Sequence, residues 1–209
     1  MTRHQDPIFL PDGETIARSQ MTAFIRYCEA ATSRTFADYW SFQSFSVEDF
    51  RLFWRLFFDW SGLVCEGQPD PVCLGDSCES ASFFPNLRLN YAEVLLTDAP
   101  AGDDRPALTS CHGDGRTERL TRGELRASVL RLAASLRRLG VQQGDRVVVV
   151  ARNTSEAVIA ALATAALGAV FSSCAPDMGA FAILTRFAPL EPVVLMGHLR
   201  PEPWDVGIP

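Results

Sequence analysis

Lysine is absent from this 209-residue sequence, and all 19 of its basic side chains are arginines. The chain therefore cannot supply the phosphate-binding lysine of a Walker loop, a Schiff-base lysine or an acid–base lysine. Any ATP chemistry that depends on such a lysine requires another stretch of polypeptide.

Long hydrophobic runs and an excess of positive charge are also missing. The longest nearly apolar window, residues 157–171, contains Thr164 and Gly168 and is shorter than the roughly 18–20 apolar residues that a membrane span needs. The N-terminal residues offer only a three-residue apolar run at 8–10, too short for a signal peptide. The net charge of −6 argues against nucleic-acid binding. We expect a cytoplasmic protein that neither spans a membrane nor binds nucleic acid.

The six cysteines lack the spacing of a metal site. No pair forms Cys-x-x-Cys, and Cys73 and Cys78 have no histidine near them in sequence. We therefore predict no metal ligands, and reduced thiols in the absence of a secretory signal.

Four regions follow from composition: a polar tail at 1–20, an aromatic-rich helical region at 21–96, an α/β pattern at 105–197, and a tail at 198–209 with three prolines. Residues 97–105 are the predicted linker. In the aromatic-rich region, a capping-box-like segment at 46–49 predicts the start of a helix that ends at Gly62. Its predicted apolar stripe is Val47, Phe50, Trp54 and Phe57, and a third helix is expected over 87–96.

The α/β pattern begins with a predicted hairpin of residues 107–111 and 117–120. Thr121 and Glu124 form a capping box ahead of a leucine-rich helix that closes at Gly140. The stripe of that helix is Leu125, Val129, Leu132, Leu136 and Leu139. Three predicted strands alternate with helices, at 146–151, 169–174 and 192–196. The first of these helices is capped by Asn153 or Thr154, and the second starts at Pro176. Continuous apolar strands with long crossovers predict a parallel βαβαβ layer and hence an α/β fold.

Ligands in such sheets bind beyond the carboxyl ends of the strands. The turn at 151–155 contains no glycine, which excludes a dinucleotide fingerprint. The next turn lies at 172–179, where Ser172 and Ser173 could donate to a ligand and Asp177 could bind a ribose or an amine. A purely structural interpretation makes Asp177 a helix N-cap and Cys174 a small buried residue. No Gly-x-Ser-x-Gly elbow surrounds either serine, so we assign no catalytic residue.

Residues 115–140 carry seven arginines and a local net charge of +5. This stretch either holds a phosphate or is the solvated face of the leucine-rich helix.

Several segments together resemble a known family. Residues 89–96 read LNYAEVLL, residues 139–147 read LGVQQGDRV, residues 153–157 read NTSEA, and residues 168–179 read GAVFSSCAPDMG. They are similar to short-chain acyl-CoA synthetases of the adenylate-forming superfamily, and to the acetoacetyl-CoA synthetase branch in particular. Residues 186–187 and 191–192 continue the match, which spans roughly 20–197. Ala175 and Met178 depart from the serine and phenylalanine typical of that branch.

The resemblance implies an activity for a full-length relative, which converts acetoacetate, ATP and CoA to acetoacetyl-CoA, AMP and diphosphate with Mg²⁺. The lysine-ended phosphate loop of the family, its later nucleotide motifs and its C-terminal domain are absent from this sequence. The fold is therefore expected to be a helical N-terminal region, a hairpin and a three-stranded βαβαβ layer, an incomplete N-terminal domain of an adenylating enzyme. We expect an N-terminal fragment that is inactive alone and binds no cofactor by itself. The family's CoA-proximal loop maps onto Pro176, Asp177 and Gly179.

An alternative to a catalytic fragment is a non-catalytic module that docks on a separately encoded remainder of the synthetase. Parallel strands at the end of the chain need neighbours at both edges. We therefore expect the chain either to self-associate or to need a partner.

Overall fold

The computed structural model describes residues 9–77, 79–97 and 102–197. The tail predicted at 198–209 and the thiol of Cys78 lie outside them. The chain forms two compact units, Met1–Arg88 and Leu89–Pro209. Within the described ranges, no helix combines the length and the apolarity needed to cross a membrane.

Four helices make up most of the first unit. Polar side chains begin three of them, because Asp12, Ser19 and Asp38 each accept a hydrogen bond from a backbone N–H three residues later. Ser41 completes a capping box with Asp38. The helices are α1 (Gly13–Ala17), α2 (Gln20–Thr32), α3 (Tyr39–Glu48) and α4 (Phe50–Ser61).

The core of this unit is aromatic. Phe24 of α2 lies edge-on to Phe42, Phe53 and Phe57, with ring centroids 5.9, 5.6 and 5.5 Å apart. Such edge-to-face contacts add to the burial of apolar area. The fully buried members of the cluster are Phe24, Cys28, Phe42, Phe45 and Leu56. Phe24 and Cys28, four residues apart, are the buried residues of α2.

Two predictions for this region are wrong. Ser46 does not begin a helix: it lies inside α3, and its hydroxyl donates to the carbonyl of Gln43. The buried face of α4 is also different from the predicted stripe, because Leu56 is buried while Val47 and Trp54 are exposed. The sequence FRLFWRLFFDWS is aromatic on several sides, so spacing alone does not select the face that packs. The end of α4 at Gly62, with φ +61°, is confirmed.

Short antiparallel strands follow α4 as two nested pairs. They are β1 (Glu66–Gly67) with β4 (Leu87–Arg88), and β2 (Cys73–Leu74) with β3 (Ser82–Phe83). The helix predicted over 87–96 is therefore too long. Its first residues pair with β1, and the helix itself, α5 (Tyr91–Leu96), starts after Asn90.

Cys28 is a completely buried thiol of the first unit. Burial raises its pKa to about 11, so at pH 8 only about one molecule in a thousand carries the thiolate that reacts. Cys111, in contrast, is exposed. We expect iodoacetamide at pH 8 to label Cys111 about a hundredfold faster than Cys28, as measured by peptide mass spectrometry. Equal labelling rates for Cys28 and Cys111 in the native protein would contradict the burial of Cys28. In urea, the two thiols are expected to be labelled at equal rates.

In the second unit, α5 is followed by the predicted hairpin of β5 (Pro106–Cys111) and β6 (Thr117–Thr121). The capping box of Thr121 and Glu124 is confirmed, since both of its hydrogen bonds are present. It begins α6 (Arg122–Arg138), whose buried face includes Leu125, Val129 and Leu136. Leu139 is exposed instead, because the helix has ended by that residue.

A parallel three-stranded sheet follows. Its strands are β7 (Arg146–Val150), β8 (Val170–Cys174) and β9 (Val194–Gly197), in the spatial order β8–β7–β9. The predicted βαβαβ layer is thereby confirmed. The crossovers are α7 (Ser155–Ala166) and a one-turn 3-10 helix, Pro176–Met178, that leads into α8 (Gly179–Phe187).

The two crossover helices lie on opposite faces of the sheet. Val147 of β7 packs in a core with α6 and α7, whereas Val148 packs with Ile183 and Phe187 of α8. Parallel connections are right-handed, and β8 and β9 flank β7 on opposite sides. Two right-handed crossovers in opposite directions must place their helices on opposite faces, as observed.

Candidate functional site

The carboxyl ends of β7 and β8 lie side by side and form one edge of the sheet. The backbone N–H of Ala151 donates to the carbonyl of Cys174 over 3.1 Å, which extends the pairing of the two strands by one residue. Residues 152–154 and 175–179 therefore leave the sheet at neighbouring points. This is the edge at which open α/β sheets bind ligands.

The loop after β8 is shaped by its proline and its glycine. Pro176 occupies the start of the 3-10 turn, where its fixed φ suits the turn. Gly179 has φ +76° and ψ 156°, a backbone region that is essentially restricted to glycine. The space where a Cβ would stand contains no atom within 4 Å, so the backbone of Gly179 is open to close approach.

Side chains of the loop divide between the core and the solvent. Met178 packs with the buried cluster of Val148, Cys174 and Phe187. Asp177 and Gly179 are exposed, and Pro176 is half-buried. The sequence-predicted residues Pro176, Asp177 and Gly179 thus lie together at the carboxyl edge of the sheet.

Asp177 is not a helix N-cap, so that structural interpretation is wrong. Met178 occupies the N-cap position of α8, and no side-chain capping bond is made there. The 3-10 turn likewise has no side-chain cap. The structural interpretation of Cys174 is confirmed, because that thiol is buried.

The helix cap predicted just after β7 also differs from the one in the structure. Thr154 is the N-cap residue of α7 but makes no side-chain capping bond, and its buried hydroxyl has no hydrogen-bond partner among the residues that the structure describes. The next residue, Ser155, is buried and its hydroxyl lies 2.9 Å from that of Ser110. This hydroxyl pair connects the start of α7 to β5.

Two arginines of the arginine-rich stretch have a role that neither sequence interpretation included. Arg122 donates to the carbonyls of Leu95 and Thr97, each over 3.0 Å. Arg126 donates to the carbonyl of Leu96 over 2.8 Å and to the carboxylate of Asp103 over 3.0 Å. These arginines satisfy carbonyls at the end of α5. Their partners lie 23 to 30 residues away in sequence, which is why no local pattern revealed them.

The Asn-Tyr-Ala-Glu segment is also structural. Asn90 caps α5 by accepting from the N–H of Glu93, and its amide donates to the carbonyls of Ala165 and Ala166 at the end of α7. Ala92 is completely buried in the core that α6 and α7 supply. The segment therefore joins α5 to the core of the second unit.

A cavity of about 310 Å³ opens beside α5. It is lined mainly by apolar side chains, among them Ala92, Leu96, Val129 and Leu130, with Glu93 and Arg126 also present. None of Pro176, Asp177 and Gly179 lines it.

The described residues also contain no group of three or more His, Cys, Asp and Glu side chains placed to hold a metal ion.

Replacing Gly179 with alanine tests the loop geometry. A Cβ meets no atom there, so the expected loss of about 1–3 kcal/mol in unfolding free energy comes from backbone strain alone. Gly113→Ala is the matched control, because Gly113 also has free space around it and no positive φ. Urea unfolding followed by circular dichroism compares the two variants. Equal stability would show that the loop does not require a glycine.

Comparisons with known proteins give this arrangement its context. A family model described as AMP-binding enzyme matches residues 97–205. Acetoacetyl-coenzyme A synthetase of Rhizobium meliloti (strain 1021) is 40% identical over 186 residues, which are 89% of this chain and 28% of that protein. The Rattus norvegicus acetoacetyl-CoA synthetase is 36% identical over 181 residues, 85% of this chain and 26% of its own length.

A solved structure agrees with these relatives. The acetoacetyl-CoA synthetase from Streptomyces lividans superposes with a TM-score of 0.85 at 36% identity, over 92% of this chain and 30% of its own. The chain thus spans little more than a quarter of the length of the curated relatives described above. Sequence and fold together show that it belongs to the AMP-binding enzyme family and is similar to the N-terminal part of acetoacetyl-CoA synthetases.

Proposed function

We propose that this chain forms the N-terminal part of an ATP-dependent acid–thiol ligase that makes acetoacetyl-CoA from acetoacetate and CoA, with AMP and diphosphate as the other products. The observation that carries the proposal is the 40% identity to an acetoacetyl-CoA synthetase over 89% of the chain. Five described cysteines are free thiols, which suits a protein of the reducing cytoplasm.

Within this function, the loop after β8 would hold part of coenzyme A, with Pro176, Asp177 and Gly179 as the contributing residues. The fit rests on the open space beside Gly179 and the exposed position of Asp177. Bound coenzyme A supplies the thiol that receives the acyl group. The role of the chain is to shape one side of that site: Pro176 and Gly179 fix the course of the backbone, and Asp177 presents an acceptor.

The residues of this chain do not fit the triphosphate of ATP. The sequence holds no lysine, and the turn at 151–155 has no glycine that would let a backbone approach phosphates. ATP and Mg²⁺ would therefore bind to polypeptide outside this sequence. The chain alone is expected to be inactive.

A first experiment incubates the purified chain with acetoacetate, ATP, Mg²⁺ and CoA and measures thioester. We expect none above a control without protein. Thioester formed by the chain alone would overturn its assignment as an inactive part of the enzyme.

A second experiment tests the loop in a complete enzyme. The matched segment of the Rhizobium meliloti synthetase is replaced by this chain, and acetoacetyl-CoA formation is followed. In that chimera, Asp177→Ala should raise the KM for CoA about tenfold, equivalent to about 1.4 kcal/mol, and leave the KM for ATP unchanged. Asp104→Ala removes another exposed carboxylate and is the control. A folded chimera without activity on acetoacetate would contradict the proposed function.

A second candidate function is a docking module that completes a separately encoded remainder of the synthetase. It is favoured by apolar side chains of β9 and α8 that remain exposed, among them Leu195 and Phe181.

A further inference from the structure

Arg152 follows the central strand of the parallel sheet at its carboxyl edge. The last residue of that strand, Val150, is the register partner of Cys174 in β8 and of Gly197 in β9. The chain that follows Val150 therefore leaves the sheet between the carboxyl ends of both neighbouring strands.

The segments after β7 and β8 separate at this point. β7 leads to α7 on one face of the sheet, and β8 leads to α8 on the opposite face. Adjacent parallel strands whose helices lie on opposite faces leave a crevice between their carboxyl ends, which is where open α/β sheets bind ligands. Arg152 borders this crevice from β7, and the loop with Asp177 and Gly179 borders it from β8.

The charges beside this crevice are few. Among residues 151–155 and 172–179, Arg152 is the only cation and Asp177 the only anion. Glu156, in the first turn of α7, adds a second carboxylate. Coenzyme A carries a diphosphate and a further phosphate on its ribose, so the two carboxylates alone would repel it. Within these segments, the charge complementary to coenzyme A comes from Arg152.

The chemistry of arginine suits a phosphate. Its guanidinium stays protonated, and its planar fork of N–H donors matches two oxygens of one phosphate. Arg152 is half-buried, and a partly buried charge is screened less than an exposed one. The turn at 151–155 has no glycine that would let its backbone approach a phosphate, but a long side chain spans that distance.

Resting on the proposed function, which assigns coenzyme A to the loop after β8, we propose that Arg152 binds a phosphate of that molecule. Arg152 and Asp177 then contact coenzyme A from the two sides of the crevice between β7 and β8. The arginine supplies the positive charge that the loop lacks.

The chimera of this chain with the remainder of the Rhizobium meliloti synthetase tests Arg152. Arg152→Gln should weaken the binding of CoA about tenfold in isothermal titration calorimetry and raise the KM for CoA by a similar factor. The KM values for ATP and acetoacetate should not change. Arg137→Gln is the matched control, because Arg137 is exposed and lies at the end of α6, which leads into the opposite, amino end of β7.

Shortened thiol acceptors separate phosphate binding from a structural effect. Pantetheine has no phosphate, so Arg152→Gln should leave its KM unchanged. Dephospho-CoA lacks only the ribose phosphate. A loss of affinity for dephospho-CoA equal to that for CoA would assign Arg152 to the diphosphate, and no loss would assign it to the ribose phosphate. Either result supports the proposal.

Arg152→Lys is a second variant that keeps the charge without the planar fork. It should lower the affinity for CoA less than Arg152→Gln does, and it provides the comparison if Arg152→Gln does not fold. Arg137→Lys should cause no loss.

An affinity for CoA that does not depend on Arg152, or an equal loss for CoA and pantetheine, would overturn the proposal. A raised KM for ATP alone would assign the arginine to another ligand and equally overturn it. A folded chimera that binds CoA but makes no acetoacetyl-CoA would contradict the proposed function, while calorimetry of Arg152→Gln would still measure the role of Arg152. A chimera that binds no CoA would overturn both.

Discussion

Phe24→Ala should lower the free energy of unfolding of the first unit by about 3–5 kcal/mol, the usual cost of removing a buried phenylalanine. The ring of Phe24 contacts four others, including that of Trp60 at 5.1 Å between centroids. Removing the ring leaves a cavity between α2 and α4 and deletes all four ring contacts at once.

Urea unfolding followed by tryptophan fluorescence measures this loss, since Trp40, Trp54 and Trp60 all lie in the first unit. Tyr27→Ala is the matched control, because it removes an exposed aromatic ring from the same helix and should change stability by less than about 0.5 kcal/mol. A loss below about 1 kcal/mol for Phe24→Ala would show that the aromatic cluster can close around the gap.

Leu136→Ala should destabilise the second unit by about 2–5 kcal/mol. Leu136 is 1% exposed and packs with Val129 and Val147 between α6 and the sheet. Leu139, which lies on the same predicted stripe, is 71% exposed, and Leu139→Ala should change the unfolding free energy by less than about 0.5 kcal/mol.

Both leucine variants are compared by urea unfolding with far-ultraviolet circular dichroism at 222 nm. Similar losses for the two would mean that α6 continues past Arg138 and buries both side chains. The pair therefore tests the end of the helix as well as its packing.

The second unit was largely predictable because its signals are local. The capping box of Thr121 and Glu124 lies within four residues, and both of its hydrogen bonds form. Three of the four consecutive valines of β7 are buried, as a strand with two covered faces requires. The hairpin, the order of strands and helices, and the parallel pairing all followed from such patterns.

The first unit was harder to predict, because several faces of its helices are equally apolar. Aromatic residues occur on several sides of α4, and contacts with rings of other helices, such as Phe24, place Phe53 and Phe57 on its inward face. The start of α4 was predicted a few residues too early. Ser46 offers a suitable cap, but it lies inside α3, and α4 begins at Phe50 after Asp49.

The candidate site was predictable in position but not in detail. Topology alone places residues 175–179 at the carboxyl edge of the sheet. Asp177 makes no capping bond because the 3-10 turn places Met178, and not Asp177, immediately before α8. The partners of Arg122 and Arg126 depend on α5 lying against α6, a contact between segments far apart in sequence.

The strand order β8–β7–β9 has a consequence for synthesis on the ribosome. The central strand is translated first and its neighbours follow, so β7 waits roughly two dozen residues for β8, or about one to five seconds at cellular elongation rates. Four adjacent valines are an aggregation hazard during that interval. The chain limits the hazard in two ways: α6 emerges beforehand and supplies Val129 and Leu136 to cover one side of the strand, and Asp145 and Arg146 place charges at its start, where gatekeeper residues oppose nascent-chain association.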